Sequence, residues 1–323
     1  MCTAITYKHY FGRNLDLERG YGEKIVISPR NHRLTFQNGD ELTNHYALIG
    51  MATVVDDYPL LFDAINEQGL GMAGLDFPGN AHYHPPVEGR TNVASFELIP
   101  WILGQCDSLK AAKRMLAEIN ITDAAFCDAY PPSPMHWMIA DKTGSLVVEP
   151  MEDGLKIYEN PVGVLTNNPP FPYHLDQLVR CRHLSANDTS ACFEGLSLPP
   201  YGGGMDAIGL PGDYSSSSRF VRAAFNKNHS HSEETNLGDV TQFFHIMASV
   251  AMPRGAIRVR NNQDEITRYT SCCDLRSGTY YYTTYENNRI QAIKMRSENL
   301  SCSRLICYPL LNQQDIVYRN ERK

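Results

Sequence analysis

Met1-Cys2 carries the first chemistry in this chain. A small residue at position two permits removal of the initiator methionine. Cys2 then bears a thiol and a free α-amine on one residue. Unperturbed, the amine titrates at about 7.7–8.0 and the thiol at about 8.5. The amine can therefore take the thiol proton near neutral pH, so nucleophile and base become one residue. An amidase built this way needs more. It needs positive charge beside the thiolate, an acceptor that fixes the amine, and preorganised donors for the tetrahedral oxyanion. Suitable groups stand at the ends of apparent strands: Arg13 and Asp16 in FGRNLD, Asp76 in AGLDF, Asn167 in LTNN and Arg219 in SSRF.

On residues alone, each has a plain structural reading. Most cysteines at position two are incidental. Arg13 and Asp16 fit a surface ion pair worth about 0–1 kcal/mol. Asn167 before Asn168-Pro169 fits a turn, and Arg219 near a helix start fits a solvated side chain. Other chemistries are weaker still. Cys302 and Cys307 have no paired CxxC, and adjacent Cys272 and Cys273 point to opposite faces of a strand. His82/His84 and His229/His231 sit in loop-like sequence and read as solvated surface. Tyr201-Gly202-Gly203-Gly204 is not followed by Gly-Lys-Ser/Thr and reads as an ordered loop, not a phosphate loop. Nothing calls for a metal or an organic cofactor.

The elements that must position these groups are legible in outline. TAITY, YFGRNLDL and KIVISP read as strands. LLFDAI and LGMAGLDF form a hairpin through Asn66-Glu67-Gln68-Gly69. Phe96, Ile99, Ile102 and Leu103 keep helical spacing, with Pro100 expected to kink the helix. A second helix starts at Ser108 as N-cap, with Leu109, Ala112, Leu116 and Ile119 on one face. MHWMIAD, SLVVEPM and LKIYEN are strands between turns, and VGVLTNNPP is a strand that breaks at Asn167-Asn168-Pro169. One later helix follows Ser215–Ser218; another carries Val240, Phe243, Phe244, Met247 and Ala251. TYYYTTYE and RIQAIKM close a hairpin at Asn287-Asn288. The alternation of strand and helix blocks, without repeats or linkers, reads as one interleaved α+β domain over 1–323.

Composition agrees. A chain of 323 residues with 42% hydrophobic content can bury a large core. Its formal charge of −7 argues against nucleic acid or an anionic membrane as partner. No signal peptide or run of about 18–20 apolar residues is visible, so the expected location is cytoplasmic. Nine cysteines, an odd number, read as free thiols.

The chain also resembles the choloylglycine hydrolase family, which contains bile salt hydrolases and penicillin V acylases and belongs to the N-terminal nucleophile hydrolases. MCTAI, FGRNLD, DDYPL, INEQGLGMAGL, GVLTNNP, GLPGDYSSSSRF, FFHI and YYYTTYENN carry the resemblance in order along the chain. It implies a four-layer αββα sandwich of two antiparallel sheets between helix layers. It implies that Cys2 is the nucleophile, Arg13 lies beside the sulfur, and Asp16 holds the α-amine. It implies that Asn167 and the backbone N–H of Asp76 form the oxyanion hole, and that Arg219 completes the polar network. One departure stands out: bile salt hydrolases of this type have asparagine where this chain has Asp76, and penicillin V acylases often have tyrosine. A carboxylate there opposes the oxyanion and repels an anionic glycine or taurine leaving group.

The resemblance further implies an apolar acyl cleft lined by Leu15, Tyr21, Val55, Phe126, Tyr130 and Met135, and an assembly extension at about 173–213 that makes a homotetramer. The expected reaction is hydrolysis of glycine- or taurine-conjugated bile acids through a Cys2 thioester. Penicillin V or another N-acyl amide is the alternative substrate, and aminolysis would make the enzyme an acyltransferase. A catalytically silent binding protein that keeps the cleft is the reading from another class.

Overall fold

The computed structural model describes residues 1–187, 193 and 195–320. In chain order its strands begin with β1 (Cys2–Tyr7), β2 (Tyr10–Leu17), β3 (Lys24–Ser28), β4 (Leu34–Thr35), β5 (Glu41–Leu42) and β6 (Leu48–Val55). Next come β7 (Tyr58–Asn66), β8 (Gly71–Asp76), β9 (Thr91–Ala94), β10 (Ile119–Thr122), β11 (Met135–Asp141) and β12 (Gly144–Met151). The last are β13 (Gly154–Glu159), β14 (Val164–Leu165), β15 (Ile266–Asp274), β16 (Thr279–Thr284), β17 (Asn287–Lys294) and β18 (Ile306–Pro309). The α-helices are α1 (Leu98–Gln105), α2 (Leu109–Leu116), α3 (Phe171–Arg180), α4 (Ser216–His229) and α5 (Asn236–Ala248).

Two antiparallel sheets form the centre. One runs β14-β1-β2-β15-β16-β17, the other β13-β12-β11-β8-β7-β6-β3-β18. Helices α4 and α5 pack on the first sheet, with α3 against α4; α1 and α2 pack on the second. The result is α+β, with four layers. Phe11, Ile49, Ile65 and Met138 share a core with Phe220 and Phe243 of the first helix layer. Trp101, Leu103 and Leu116 close a second core against Trp137, Ile139 and Val148. Strands of the inner layers are covered on both faces, so their sequences lose the polar alternation of a solvated sheet. Cys272 and Cys273 show this, because both are fully buried although they point to opposite sides of β15.

Local signals explain several boundaries. Ser108 caps α2 by accepting from Ala111 N at 3.3 Å, and Ser215 caps α4 by accepting from Ser218 N at 3.4 Å. Helix α4 thus starts at Ser216, inside the serine run. Pro100 does not kink α1. It is the third residue of that helix, where the N–H it lacks has no intrahelical acceptor. Phe96 lies outside α1 in a 3₁₀ turn over Ser95–Glu97. Ile119 is not on α2; it pairs with Thr91 in the parallel β9–β10 pair. Ala251 lies beyond α5, and only Val164–Leu165 of the VGVLTNN segment is strand. The last hairpin turns at Tyr285-Glu286, and Asn287 and Asn288 open β17.

Two glycines are required by the packing that sets up the site. Gly69 turns the β7–β8 hairpin at φ +87°. A Cβ at Gly12 would collide with the Ser271 carbonyl, so only glycine lets β2 and β15 approach there, next to Arg13.

Candidate active site

Cys2 opens β1 and is paired with Leu15 of β2, which brings Arg13 and Asp16 alongside it. Along β2 the side chains alternate, yet Arg13, Asn14, Leu15 and Asp16 are all buried because both faces of the sheet are covered. Arg13 is fully buried. Its Nη2 donates to Cys2 Sγ at 2.5 Å, and its Nη1 donates to the carbonyl of Phe62 at 3.1 Å and to that of Gly74. The carbonyls of β7 and β8 thus aim the guanidinium at the sulfur from the opposite sheet. Burial works against this charge, but Cys2, Tyr269, Asp63 and Asp16 outweigh it and hold Arg13 above its ordinary range.

Asn167 stands where β14 ends. Its Oδ1 accepts from Cys2 N at 2.7 Å and from Arg219 Nη2 at 2.8 Å. Its Nδ2 donates to the Asp76 carbonyl at 2.7 Å and keeps a second N–H. Arg219, on α4 and fully buried, also donates through Nη1 to Cys2 O at 2.5 Å and to Thr3 Oγ1 at 2.7 Å. It is a structural clamp on the Cys2 backbone, not a solvated side chain. Burial lowers its pKa, against the attraction of Asp16 and Cys2.

Asp76 closes β8. Phe77 N donates to Pro134 O at 2.8 Å, and Met135 N donates to Tyr83 Oη, also at 2.8 Å. In an antiparallel ladder this phase turns the Asp76 N–H and C=O away from β11, onto the side where Asn167 meets the carbonyl. The β7 pairing of β8 ends at Ala73, so no strand covers that edge. The half-buried Asp76 carboxyl is raised by burial, opposed by the chain-terminal amine and by His136 and reinforced by Glu18.

Asp16 is fully buried. Thr267 Oγ1 donates to its Oδ1 at 2.6 Å, across an irregularity in the β2–β15 register between Thr267 and Tyr269. Its Oδ2 has no hydrogen-bond partner among the described residues. With Met1 in place, the terminal amine donates to the Asp16 backbone carbonyl at 2.8 Å and to Glu265 Oε1, not to the Asp16 carboxylate. Burial raises the Asp16 carboxyl, against Arg219 and the amine. Glu265 and Thr267 were not legible as site residues. They lie at the head of an ordinary-looking strand, and only tertiary pairing brings them to the terminus. The same holds for Thr3.

The six expected cleft residues fall into linked groups. Leu15 is opposite Cys2 and buried, and Met135 is opposite Asp76. Tyr21 lies near Phe62 with the rings tilted (centroids 6.3 Å), and the Phe62 carbonyl holds Arg13. Val55 pairs with Tyr58, whose ring lies 5.5 Å from Phe126, and Phe126 is 6.4 Å from Tyr130. A separate cavity of about 960 Å³ lies between α4–α5 and β15–β16, lined by Tyr214, Arg222, His245 and Met252 among others. It meets this constellation only through Thr267.

The scaffold behind Asn167 includes His174 of α3, fully buried, with Nε2 donating to the Asn167 carbonyl at 2.8 Å. Burial depresses His174 to about 4, against that bond. The unfolded side chain protonates near 6.5. Stability is therefore complete above pH 6.5 and falls as pH drops towards 4, by about 3 kcal/mol. Urea titrations at pH 7.5, 5.5 and 4.5 are expected to show this loss in the wild type and a flatter profile in His174→Gln. Superimposable profiles would exclude His174 as the cause.

This geometry puts a guanidinium on a thiol, a backbone nitrogen of the same residue on an amide oxygen, and two outward donors nearby, as thiol-dependent amide cleavage requires. The family model for linear amide C–N hydrolases, choloylglycine hydrolase family, matches residues 2–308. The chain belongs to the choloylglycine hydrolase family. It is 47% identical over 317 residues to a bile salt hydrolase/transferase of Lactiplantibacillus plantarum, covering 97% of this chain and 98% of that one. It is 40% identical to a bile salt hydrolase/transferase of Clostridium perfringens, covering 95% and 96%. The fold superimposes on a crystal structure of a cysteine-to-alanine mutant of the conjugated bile acid hydrolase of Clostridium perfringens with TM-score 0.91, at 38% identity and covering 99% and 100% of the two chains. A penicillin V acylase from Agrobacterium tumefaciens shares the fold at TM-score 0.77 and 19% identity, over 97% and 93%. Within this family the chain is an amidohydrolase with cysteine at position 2.

Proposed function

We propose that this protein is a conjugated bile acid hydrolase that works through Cys2 as an N-terminal nucleophile. The observation that carries the reading is likeness over nearly the full length to proteins named bile salt hydrolase, in a chain whose Arg13 guanidinium rests on the Cys2 sulfur. After loss of Met1, the α-amine takes the thiol proton and Sγ adds to the amide carbonyl. The oxyanion is met by the Asp76 N–H and the second N–H of Asn167. The C–N bond breaks as the amine returns the proton to the leaving glycine or taurine. Water then adds to the thioester and releases the bile acid. Asp16, with an unpartnered buried oxygen, holds the new α-amine, and Arg219 keeps the Cys2 backbone in place. Leu15, Tyr21, Val55, Phe126, Tyr130 and Met135 line the acyl cleft.

The protein acts as a single-domain homotetramer in the cytoplasm. Support for assembly is the cluster of exposed apolar residues in the extension, including Leu198, Ile208 and Tyr201, which is 89% exposed. Among the described residues no helix is long and apolar enough to cross a membrane. Part of the extension lies outside the described residues.

Amine release from glycocholate, taurocholate and penicillin V tests the reading. Release from the bile conjugates supports it, whereas release from penicillin V alone would assign the chain to acylases. Transfer is a second reading, favoured by relatives named hydrolase/transferase; added free amino acid would then divert the acyl group from water.

Asp76 tunes this activity. Its half-buried carboxyl has no ion-pair partner among the described residues. Asp76→Asn is expected to raise kcat/KM for glycine and taurine conjugates about tenfold, or roughly 1.4 kcal/mol of removed repulsion. The gain is present at pH values where Asp76 is ionised and vanishes on the acid side. Unchanged kinetics across a pH series would contradict it.

A further inference from the structure

Asp63 is a buried carboxylate that the reaction as described does not use. It lies on β7, 1% exposed, and reaches across from one sheet to the other. Tyr269 Oη donates to its Oδ1 at 2.5 Å. Tyr280 Oη and Ser271 Oγ donate to its Oδ2 at 2.7 and 3.0 Å. Ser271 Oγ in turn accepts from Arg13 N at 3.1 Å. Burial pushes the Asp63 carboxyl up, while Arg13 and the hydroxyls of Tyr269, Tyr280 and Ser271 favour its ionised form.

Such a charge is costly unless it is compensated. Its compensation is Arg13, whose guanidinium is held by the carbonyl of the preceding residue, Phe62. Phe62-Asp63 thus offers Arg13 both a backbone carbonyl and the attraction of a nearby carboxylate. Arg13 thus interacts with two buried groups, the Asp63 carboxyl and the sulfur of Cys2.

We propose that Asp63 is a positioning residue for the nucleophile: its negative charge draws on the Arg13 guanidinium and so sets how acidic and how nucleophilic Cys2 is. This rests on the reading of Cys2 as nucleophile. The guanidinium stays in place without Asp63, because the Phe62 and Gly74 carbonyls anchor it independently. Removing the Asp63 charge therefore takes away one of the anionic groups that compete with the thiolate for Arg13, and the thiolate forms at lower pH. A more acidic thiol is a poorer nucleophile, since reactivity falls with thiol basicity.

The other charged and titratable groups around this pair stay in place when the Asp63 charge is removed. Arg219 faces Cys2 and Asp16, Tyr269 faces both Cys2 and Asp63, and Cys273 and Tyr280 face Asp63. The terminal amine faces Cys2 and Asp16, and Glu265 faces the amine. A lone pair of electrons on the α-amine feels the lost negative charge with the same sign as the thiol, so the direction of the shift does not depend on which of the two titrates.

The test compares wild type, Asp63→Asn and Tyr280→Phe as full-length, Met1-free protein. It measures iodoacetamide alkylation of Cys2 against pH, read by peptide mass, beside amide hydrolysis. Asp63→Asn is expected to move the acid limb of alkylation down by about one pH unit, with the plateau rate about threefold lower. Tyr280→Phe removes one hydroxyl from the carboxylate, makes it easier to protonate, and moves the limb the same way by less. A limb that stays put in the folded variants, or moves up because Arg13 has lost its place, overturns the proposal. If Asp63→Asn fails to fold, an unmoved limb in Tyr280→Phe overturns it equally. Cys2→Ser separates the two claims. Hydrolysis that survives Cys2→Ser undamaged contradicts the nucleophile itself, whereas an unmoved limb with Cys2 essential contradicts only the role of Asp63.

Discussion

Cys2→Ala is expected to lose at least about a thousandfold in amide hydrolysis with the fold intact. Cys2 is 2% exposed at the head of β1; its backbone contacts run N to Asn167 Oδ1 and O to Arg219 Nη1, while its sulfur accepts from Arg13 Nη2. Alanine keeps both backbone contacts. What disappears is the only atom at this place that can form a thioester. Cys2→Ser keeps an oxygen nucleophile, but its hydroxyl is far harder to ionise beside Arg13, so it too falls steeply. Kinetics and thermal melts of both variants check this. Substantial turnover by Cys2→Ala would mean that another group makes the acyl bond, and undiminished turnover by Cys2→Ser would mean that the thiol is not required.

Asn167→Ala is the second large loss, about 10²–10³-fold in kcat. Three things fail together: the oxygen that holds Cys2 N, the acceptor that occupies Arg219 Nη2, and the Nδ2 group anchored on the Asp76 carbonyl. Asn167→Asp divides these functions. It keeps an acceptor for Cys2 N and Arg219 but removes the donor, and it places negative charge where the oxyanion develops. Both variants are expected to lower kcat and kcat/KM together, as for an interaction made in the transition state. A raised KM with kcat retained would assign Asn167 to substrate binding.

Much of the fold was legible because the strands are marked by both apolar runs and turn residues. Gly69, Gly144 and Gly154 sit at turns where positive φ is needed, at +87°, +156° and +109°. Errors came where tertiary pairing overrode a local preference. Asn287-Asn288 has turn chemistry, yet Asn287 Nδ2 donates to Leu311 O and the strand begins there. Ile119 continues the periodicity of α2, but its partner is Thr91, far away in sequence. The site shows the same division. Arg13 and Asp16 could be noticed because they interrupt an apolar strand. Asp63, Glu265 and Thr267 give no local sign, since a single polar residue in a strand is ordinary until the opposite sheet shows what it faces.

The most direct measurement is the mass of the N-terminal peptide from protein quenched in acid during turnover of glycocholate. The account predicts a peptide that begins at Cys2, without Met1, and carries the bile acyl group as a thioester that disappears once substrate is exhausted. Turnover accompanied only by an unmodified peptide that retains Met1 would contradict it, because a chain with Met1 attached has no free amine on Cys2 to move the proton.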